Sequence, residues 1–369
     1  MSNRAHAQAR RRPAWLLAVA AVIAACIALP AAAHAVRGTP YRQTNLVSDI
    51  PGLAQLTDPN LLNPWGMAAG PTTPVWVSDN GADVATLYQG GLKKTPVSAA
   101  PLVVNIPAGE PTGQVFNPTD GFVVRSGMSS GPALFIFASE SGNITGWNPN
   151  VPPPPPSTQA QPAASTPDAV YKGLAMASSG GQPYLYATDF HHNRIDVFDS
   201  SFMPTTLSGS FTDPTLPAHF APFGIQAFGN FLVVTYAMQD AAAHDDVAGP
   251  GSGFVDVFRS NGDFVRRLIS RGALNSPWGL AIAPSGFGAF SHALLVGNFG
   301  DGTIHGYSPF SGRFLGTLRG KHGMPIQNDG LWGLRFGNGV AGSPRTLLFT
   351  AGLNDESDGL FGEIQAGHH

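Results

Sequence analysis

An all-β fold, a six-bladed β-propeller closed by an N-terminal strand, is what three features of the sequence predict. A glycine-centred phrase returns six times: PWGMAA at Gly66, TDGFVV at Gly121, YKGLAM at Gly173, PFGIQA at Gly224, PWGLAI at Gly279 and LWGLRF at Gly333. The intervals between those glycines are 55, 52, 51, 55 and 54 residues, the length of a four-strand blade rather than of a helical repeat. Between the phrases apolar residues alternate with period two, and no long segment of period 3.6 interrupts them.

The first 35 residues stand outside this pattern. Arg10, Arg11 and Arg12 precede an almost wholly apolar run from Ala14 to Ala33, and Ala33-His34-Ala35 has the small-x-small form of a cleavage site. Residues 1–35 are therefore expected to be a signal peptide, with 36–369 as one propeller. The run could also stay uncleaved as an anchor. IAAC at 23–26 offers a lipoprotein alternative with the lipid on Cys26. Cys26 is the only cysteine, so the mature chain has no disulfide, thiol nucleophile or zinc-thiolate site.

Each phrase is followed by a turn and a β-rich run (VWVSD, LFIFASE, YLYATD, FLVVTY, LLVGNF, LLFTAG), then by an alternating strand such as VATLY, NITGW, RIDVF, FVDVF or TIHGY. After Gly333 only 36 residues remain, enough for three strands of the last blade. YRQTNLV, Tyr41 to Val47, supplies the fourth, and the overlap removes two free sheet edges. The proline run at 152–156, within a Pro-rich loop at 148–167, is expected to replace most of the fourth strand of the second blade.

Charge narrows the partners. Charged residues make up 12% of the chain, the formal net charge is −3, and the body has no Lys/Arg cluster, which excludes nucleic acid. A membrane enters only through the leader or a lipid on Cys26. The expected product is an exported monomer, extracellular or periplasmic, that meets a small molecule or an extracellular protein.

Residues 187–199, ATDFHHNRIDVFD, have the core pattern of the NHL repeat, in which a strand ends in Asp and an Asn-Arg turn leads into the next strand. WVSDNGADVATLY and LVGNFGDGTIHGY match in part. Over nearly all the mature chain, TNLVSD, NPWGMA, HDDVAGPGSGFVDVF and NDESDGLFG resemble an uncharacterised family of secreted bacterial propeller proteins. That resemblance implies a fold and no activity. In the repeat, Asp189 takes the turn amides and His191 and His192 occupy the turn, which outweighs a metal reading of the two histidines.

Three sets of residues are candidates for function. The position before the phrase glycine holds Trp65, Asp120, Lys172, Phe223, Trp278 and Trp332. These form either a ligand-binding rim with one acid and one base, suited to a sugar or other small organic molecule, or rings packed between blades. Asp79, Glu140, Asp189, Asn298 and Asn354 follow the second strands. They are either oxygen ligands for a hard cation such as Ca²⁺ or local turn acceptors. The insertion QDAAAHDDVAGPGSG at 239–253 concentrates Asp240, His244, Asp245 and Asp246, a set able to hold a divalent cation, to act as acid and base, or to stay solvated. The acidic loop NDESD could face it across the channel mouth.

GMSSG at 127–131 and GNGVAG at 337–342 have the letters of GxSxG and GxGxxG, but no helical pattern follows either, so neither reads as a nucleophile elbow or a dinucleotide fingerprint; no HExxH or Walker motif occurs. The expectation is a propeller that binds a ligand or protein through loops on one face. The alternative is a metal-dependent hydrolase or lyase of lactonase-like type, in which the five oxygen residues after the second strands would converge on one point.

Overall fold

In a computed structural model describing residues 40–92, 95–107 and 109–367, the glycine phrases form the innermost strands of six radial sheets. These strands are Pro64–Ala68, Pro111–Phe116, Tyr171–Ser179, Phe220–Phe228, Pro277–Ile282 and Leu331–Phe336, for blades 1 to 6 in that order. Each pairs antiparallel with a second strand, and the meander continues outward through a third and fourth. The leader and Cys26 lie outside the described residues. Among the described residues no helix is long and apolar enough to cross a membrane.

Crowding around the axis explains the glycines. A methyl on Gly66 would lie 2.5 Å from the Thr112 carbonyl oxygen, one on Gly279 2.5 Å from that of Trp332, and one on Gly333 2.6 Å from that of Trp65. Gly113, Gly173 and Gly224 press on the next blade in the same way. The chain of contacts returns from blade 6 to blade 1, so the ring is closed at its narrowest layer, where no Cβ fits.

A register shift lies beside the phrase glycine in blades 3, 4 and 6, and in blades 4 and 6 it leaves the glycine without a cross-strand partner. Threonine hydroxyls fill the gap. Thr188, Thr235 and Thr350 accept from the amides of Gly173, Gly224 and Gly333 at 2.7, 2.8 and 2.8 Å. Thr188 and Thr350 also donate to the carbonyls of Phe223 and Trp65 on the following blade, at 2.8 and 2.5 Å. One hydroxyl thus satisfies a buried donor and staples two blades.

Closure follows the expected overlap. Tyr41–Ser48 pairs antiparallel with Asp358–Ala366 as the fourth strand of blade 6, burying Tyr41, Leu46 and Val47. Leu56–Thr57 adds a short parallel pairing outside it. The apolar clusters lie between adjacent blades, as sheet-on-sheet packing requires.

Two expectations are corrected. The second-blade phrase is PTGQVF around Gly113, because Gly113, not Gly121, sits in the ring of close contacts. TDGFVV instead leads into a hairpin, Val123–Ser126 with Ser129–Pro132, inserted before the second strand. The Pro-rich loop does not replace the fourth strand either. Gln161–Ser165 forms it against Asn143–Trp147, and the exposed prolines precede it. The Trp147 indole N–H anchors the loop's far end on the Ser157 carbonyl at 2.8 Å.

Candidate functional site

The layer before the phrase glycines holds Trp65, Thr112, Lys172, Phe223, Trp278 and Trp332. Asp120, expected there, is exposed on the segment beyond the second-blade strand, eight residues off the true position. The rings pack on one another. Trp65 stacks on Trp332 with centroids 3.5 Å apart, Trp278 meets both edge-on, and Phe299 stacks on Trp332 at 4.1 Å. Trp65 and Trp332 are both buried. These aromatics form a plug in the channel rather than an open rim.

Lys172 breaks the aromatic layer. Its side chain is 2% exposed, yet its ammonium pairs with Glu140 and lies 3.3 Å from Asp245 Oδ1. It also stands over the rings of Trp65 and Phe190, at 5.3 and 5.9 Å from their centroids. Burial pulls the ammonium toward neutrality, but Glu140 and Asp245 outweigh it and raise the pKa. For Asp245 burial acts upward, and Lys172 and His244 overcome it and lower the carboxyl.

Around this pair a hydrogen-bonded chain crosses three blades. Asn80 Nδ2 donates to Glu140 Oε2 at 3.1 Å. Asn63 Nδ2 donates to Asn80 Oδ1 at 3.2 Å and to Glu356 Oε2 at 2.7 Å. The Trp332 indole N–H donates to Asn63 Oδ1 at 3.1 Å, joining the polar chain to the plug. Glu356 is pushed up to about 7, chiefly by burial; Asn63 and Lys172 pull it down, while Glu140 and Asp246 push it up. Lys172, Glu140, Asn80 and Asn63 thus link Asp245 of the 239–253 loop to Glu356 of the NDESD loop through side-chain contacts. Glu110, at the same mouth, is raised by burial and then by Glu140 and Asp83.

Left-handed backbone occurs at this mouth, as it does at eleven other non-glycine positions among the described residues. Asn354, Asp355 and Glu356 have φ of +53°, +53° and +66°, three successive non-glycine residues in the left-handed region. Asn63 and Glu110 adopt φ of +42° and +47°. Each such residue costs of order 1 kcal/mol, and strain of this kind clusters at working sites.

The 239–253 loop is ordered by its own acid. Asp240 Oδ1 accepts from the amides of His244 and Asp245 at 2.9 and 3.3 Å, which makes Asp240 a loop cap. His244 Nδ1 lies 3.0 Å from Asp245 Oδ1. Burial raises the Asp246 carboxyl, whose Oδ2 has no hydrogen bond. Among the described residues, Glu140, His244 and Asp245 form a group whose ligand atoms lie within 4.8 Å of one another.

The five oxygen residues after the second strands do not converge. Asp189 accepts from the His192 amide at 3.1 Å and contacts His192 Nδ1 at 2.7 Å, a local turn. Asn298 donates to the Ala273 carbonyl of the preceding loop at 2.8 Å, and Asn354 locally to Asp358 at 2.8 Å. Asp79 is fully buried, and burial raises its pKa. The ladder explains the failure. Asp79, Ser139, Asp189 and Asn298 are equivalent, each opposite the residue two before its phrase glycine. Glu140 is one residue further, equivalent to Asn80, Phe190 and Phe299, the residues that meet the polar chain or the plug. Asn63, Asn80 and Glu110 escaped the sequence reading, and Glu356 entered it only as part of the NDESD loop; the signal for Asn63 and Glu110 was their place three residues before a phrase glycine.

Fold and site define a six-bladed propeller with an aromatic-plugged channel and a polar, mostly acidic mouth. No family model matches the chain. One uncharacterised protein of Acanthamoeba polyphaga mimivirus is 32% identical over 338 residues, covering 88% of this chain and 80% of the relative. A second from the same virus is 32% identical over 334 residues, covering 88% and 85%. The chain belongs to the family of these uncharacterised proteins, whose members found here are viral rather than bacterial. Among solved structures, a candidate gluconolactonase superposes with TM-score 0.52 at 13% identity, covering 90% of this chain and 93% of that one. The soluble aldose sugar dehydrogenase of Escherichia coli superposes with TM-score 0.51 at 13% identity, covering 89% and 100%. At such identity these likenesses show the fold alone.

Proposed function

We propose that the protein is an exported propeller that binds a small molecule rich in O–H or N–H groups, such as a polyol, sugar or amine, at the mouth of its channel. Lys172 carries this reading. The propeller repeat needs no ammonium at a position where the other blades place Trp, Thr or Phe, and burying one demands the partners it has in Glu140 and Asp245. Acceptors at the mouth outnumber donors, with Glu110, Glu140, Asp245, Asp246 and Glu356 around one lysine. A donor-rich ligand complements that imbalance. The test is calorimetric titration of monosaccharides, sugar lactones and small amines into the parent, Lys172→Met and Asp245→Ala. One class should bind the parent and lose at least tenfold in both variants. Equal binding by all three proteins, or none by the parent, refutes the reading.

A metal-dependent hydrolase or lyase is the second reading, supported by the grouping of Glu140, His244 and Asp245. Two carboxylates and an imidazole suit Ca²⁺ or a transition ion, but Lys172 already holds both carboxylates, so an incoming cation has to displace it. An ion bound there would polarise a carbonyl or activate water. Glu356 beside it can take or release a proton near neutral pH. Titration of Ca²⁺, Mn²⁺ and Zn²⁺ into chelator-treated protein checks this. Binding should disappear with Asp245→Ala and Asp246→Ala together and tighten with Lys172→Met. Binding indifferent to both changes, or absent from the parent, removes the metal.

A further inference from the structure

Blade 1 ends in a rudimentary outer edge. Its fourth strand is the two residues Ser98–Ala99, with Val104–Asn105 as a second short pairing on the same third strand. Its neighbour, blade 6, carries the full closing strand Tyr41–Ser48 over Asp358–Ala366. A long sheet beside a short one leaves the outer part of its face uncovered. There a cleft of about 700 Å³ opens, bounded by Arg42, Thr44, Gly91, Thr346, Glu363 and Gln365. That volume lies within the range of small-molecule sites.

The register explains the composition of the wall. Arg42 stands opposite Gln365 and Thr44 opposite Glu363, so all four side chains share one face. Glu363 is only 5% exposed. Its Oε1 accepts from Gln365 Nε2 at 3.2 Å, but its Oε2 is buried with no hydrogen bond. Burial raises the carboxyl, and Gln365, Arg42 and Thr44 oppose that rise. A Cβ built on Gly91 would lie 3.6 Å from Glu363 Oε2, so the glycine keeps the opposite wall low.

Within the sheet, Glu363 has Gln365, Arg42 and Thr44 beside it on the same face, all of which favour its charged form. Its ladder neighbours are Thr44 and Leu348, beside which an uncharged residue would pair as well. A buried acceptor left unpaired is unfavourable, and Glu363 differs from the other buried carboxylates with an unpaired oxygen, Asp79, Asp246 and Asp256, in bordering the cleft. At the wall of a ligand-sized cleft, the missing donor comes from outside. We propose that this cleft is a second ligand site, for a small zwitterion whose ammonium docks on Glu363 and whose carboxylate is met by Arg42. Arg42 is exposed, as an entrance residue should be.

Ligand-observed NMR on the purified protein, with 6-aminohexanoate, hexylamine and hexanoate as probes up to 10 mM, tests the assignment. The zwitterion should bind, the amine at least fivefold more weakly, and the acid not at all. Glu363→Gln should abolish binding of 6-aminohexanoate, and Arg42→Ala should reduce it to the level of hexylamine. Glu363→Gln keeps the side-chain shape and removes an unpaired buried charge, so its melting temperature should equal or exceed the parent's. Three results overturn the assignment: no binding of 6-aminohexanoate to the parent, binding unchanged in Glu363→Gln, or hexanoate bound as well as 6-aminohexanoate. A lowered melting temperature with binding intact would make Glu363 a structural group instead.

Discussion

Replacing Lys172 by Met tests whether the buried ion pair, rather than packing, organises the channel mouth. Methionine keeps the apolar stem against the plug but removes the ammonium. Glu140, 11% exposed, then loses its one lysine or arginine partner among the described residues. Removing one partner of a buried pair costs about 3–5 kcal/mol, because the abandoned charge stays out of water. Two further contributions are smaller. The placement over Trp65 and Phe190 is worth about 1 kcal/mol. The Asp245 side chain is 69% exposed, so its pairing with Lys172 adds less than about 1 kcal/mol. The single variant should therefore lose about 3–5 kcal/mol. Lys172→Met with Glu140→Gln should recover most of it, since no charge is stranded and the glutamine oxygen can still accept from Asn80 Nδ2. Urea unfolding at pH 7, followed by far-UV circular dichroism and tryptophan fluorescence, yields the four corners of the cycle. A coupling energy of at least about 2 kcal/mol is expected; below about 0.5 kcal/mol, the claim that the pair organises the mouth is wrong. The double variant also separates fold from function, for it should fold and yet fail to bind at the mouth.

Three other expectations rest on separate features. Thr350→Val strands the Gly333 amide and removes the donor to the Trp65 carbonyl, so it should cost about 2–4 kcal/mol in urea unfolding, while Thr350→Ser should cost less than half of that. Deleting residues 36–50 removes Tyr41, Leu46 and Val47 from the core, about 5–8 kcal/mol of apolar burial against a total stability of about 5–15. No stable monomer should form, and a sharp melt at the parent temperature would contradict closure. For Glu356 the folded pKa is about 7, above the ordinary carboxyl range, so its protonated form favours the folded state and parent stability is lost as pH rises from about 4.5 to 7. Glu356→Gln should match the parent at pH 4 and exceed it by up to about 3 kcal/mol at pH 8, as read from melting temperatures across that range.

Much of the fold was legible because its causes are local and repeated. The innermost glycines are demanded by contacts closer than any Cβ allows, so five of the six stand in the sequence at near-constant spacing. The closing strand follows from counting the residues left for blade 6. Blade 2 was misread for a physical reason. PTGQVF lacks the aromatic that marks other phrases, and the inserted hairpin after it begins with a glycine of similar surroundings. The spacing stayed plausible while the register moved by eight residues, carrying Asp120 into the site list and leaving Thr112 out.

The site was less legible because it depends on single-residue parity and on loops from different blades. A β-strand turns successive side chains to opposite faces, so Asp79, Asp189 and Asn298, ending their strands, lie within or between blades. One residue later, Asn80, Glu140, Phe190 and Phe299 meet the polar chain or the plug. Glu140 stands among the sequence candidates with the wrong companions; the residue bonded to it, Asn80, lies one position past Asp79. The NDESD loop offers Glu356 as one acid among three, and nothing local singles it out. Its role depends on three successive left-handed residues that aim the carboxyl at Asn63, a residue 293 positions earlier whose own φ is positive. Two strained backbones from opposite ends of the chain meeting through one hydrogen bond is an arrangement that sheet formation does not require. The strain at both ends is the reason to look for the function at this mouth rather than among the acids that merely close turns.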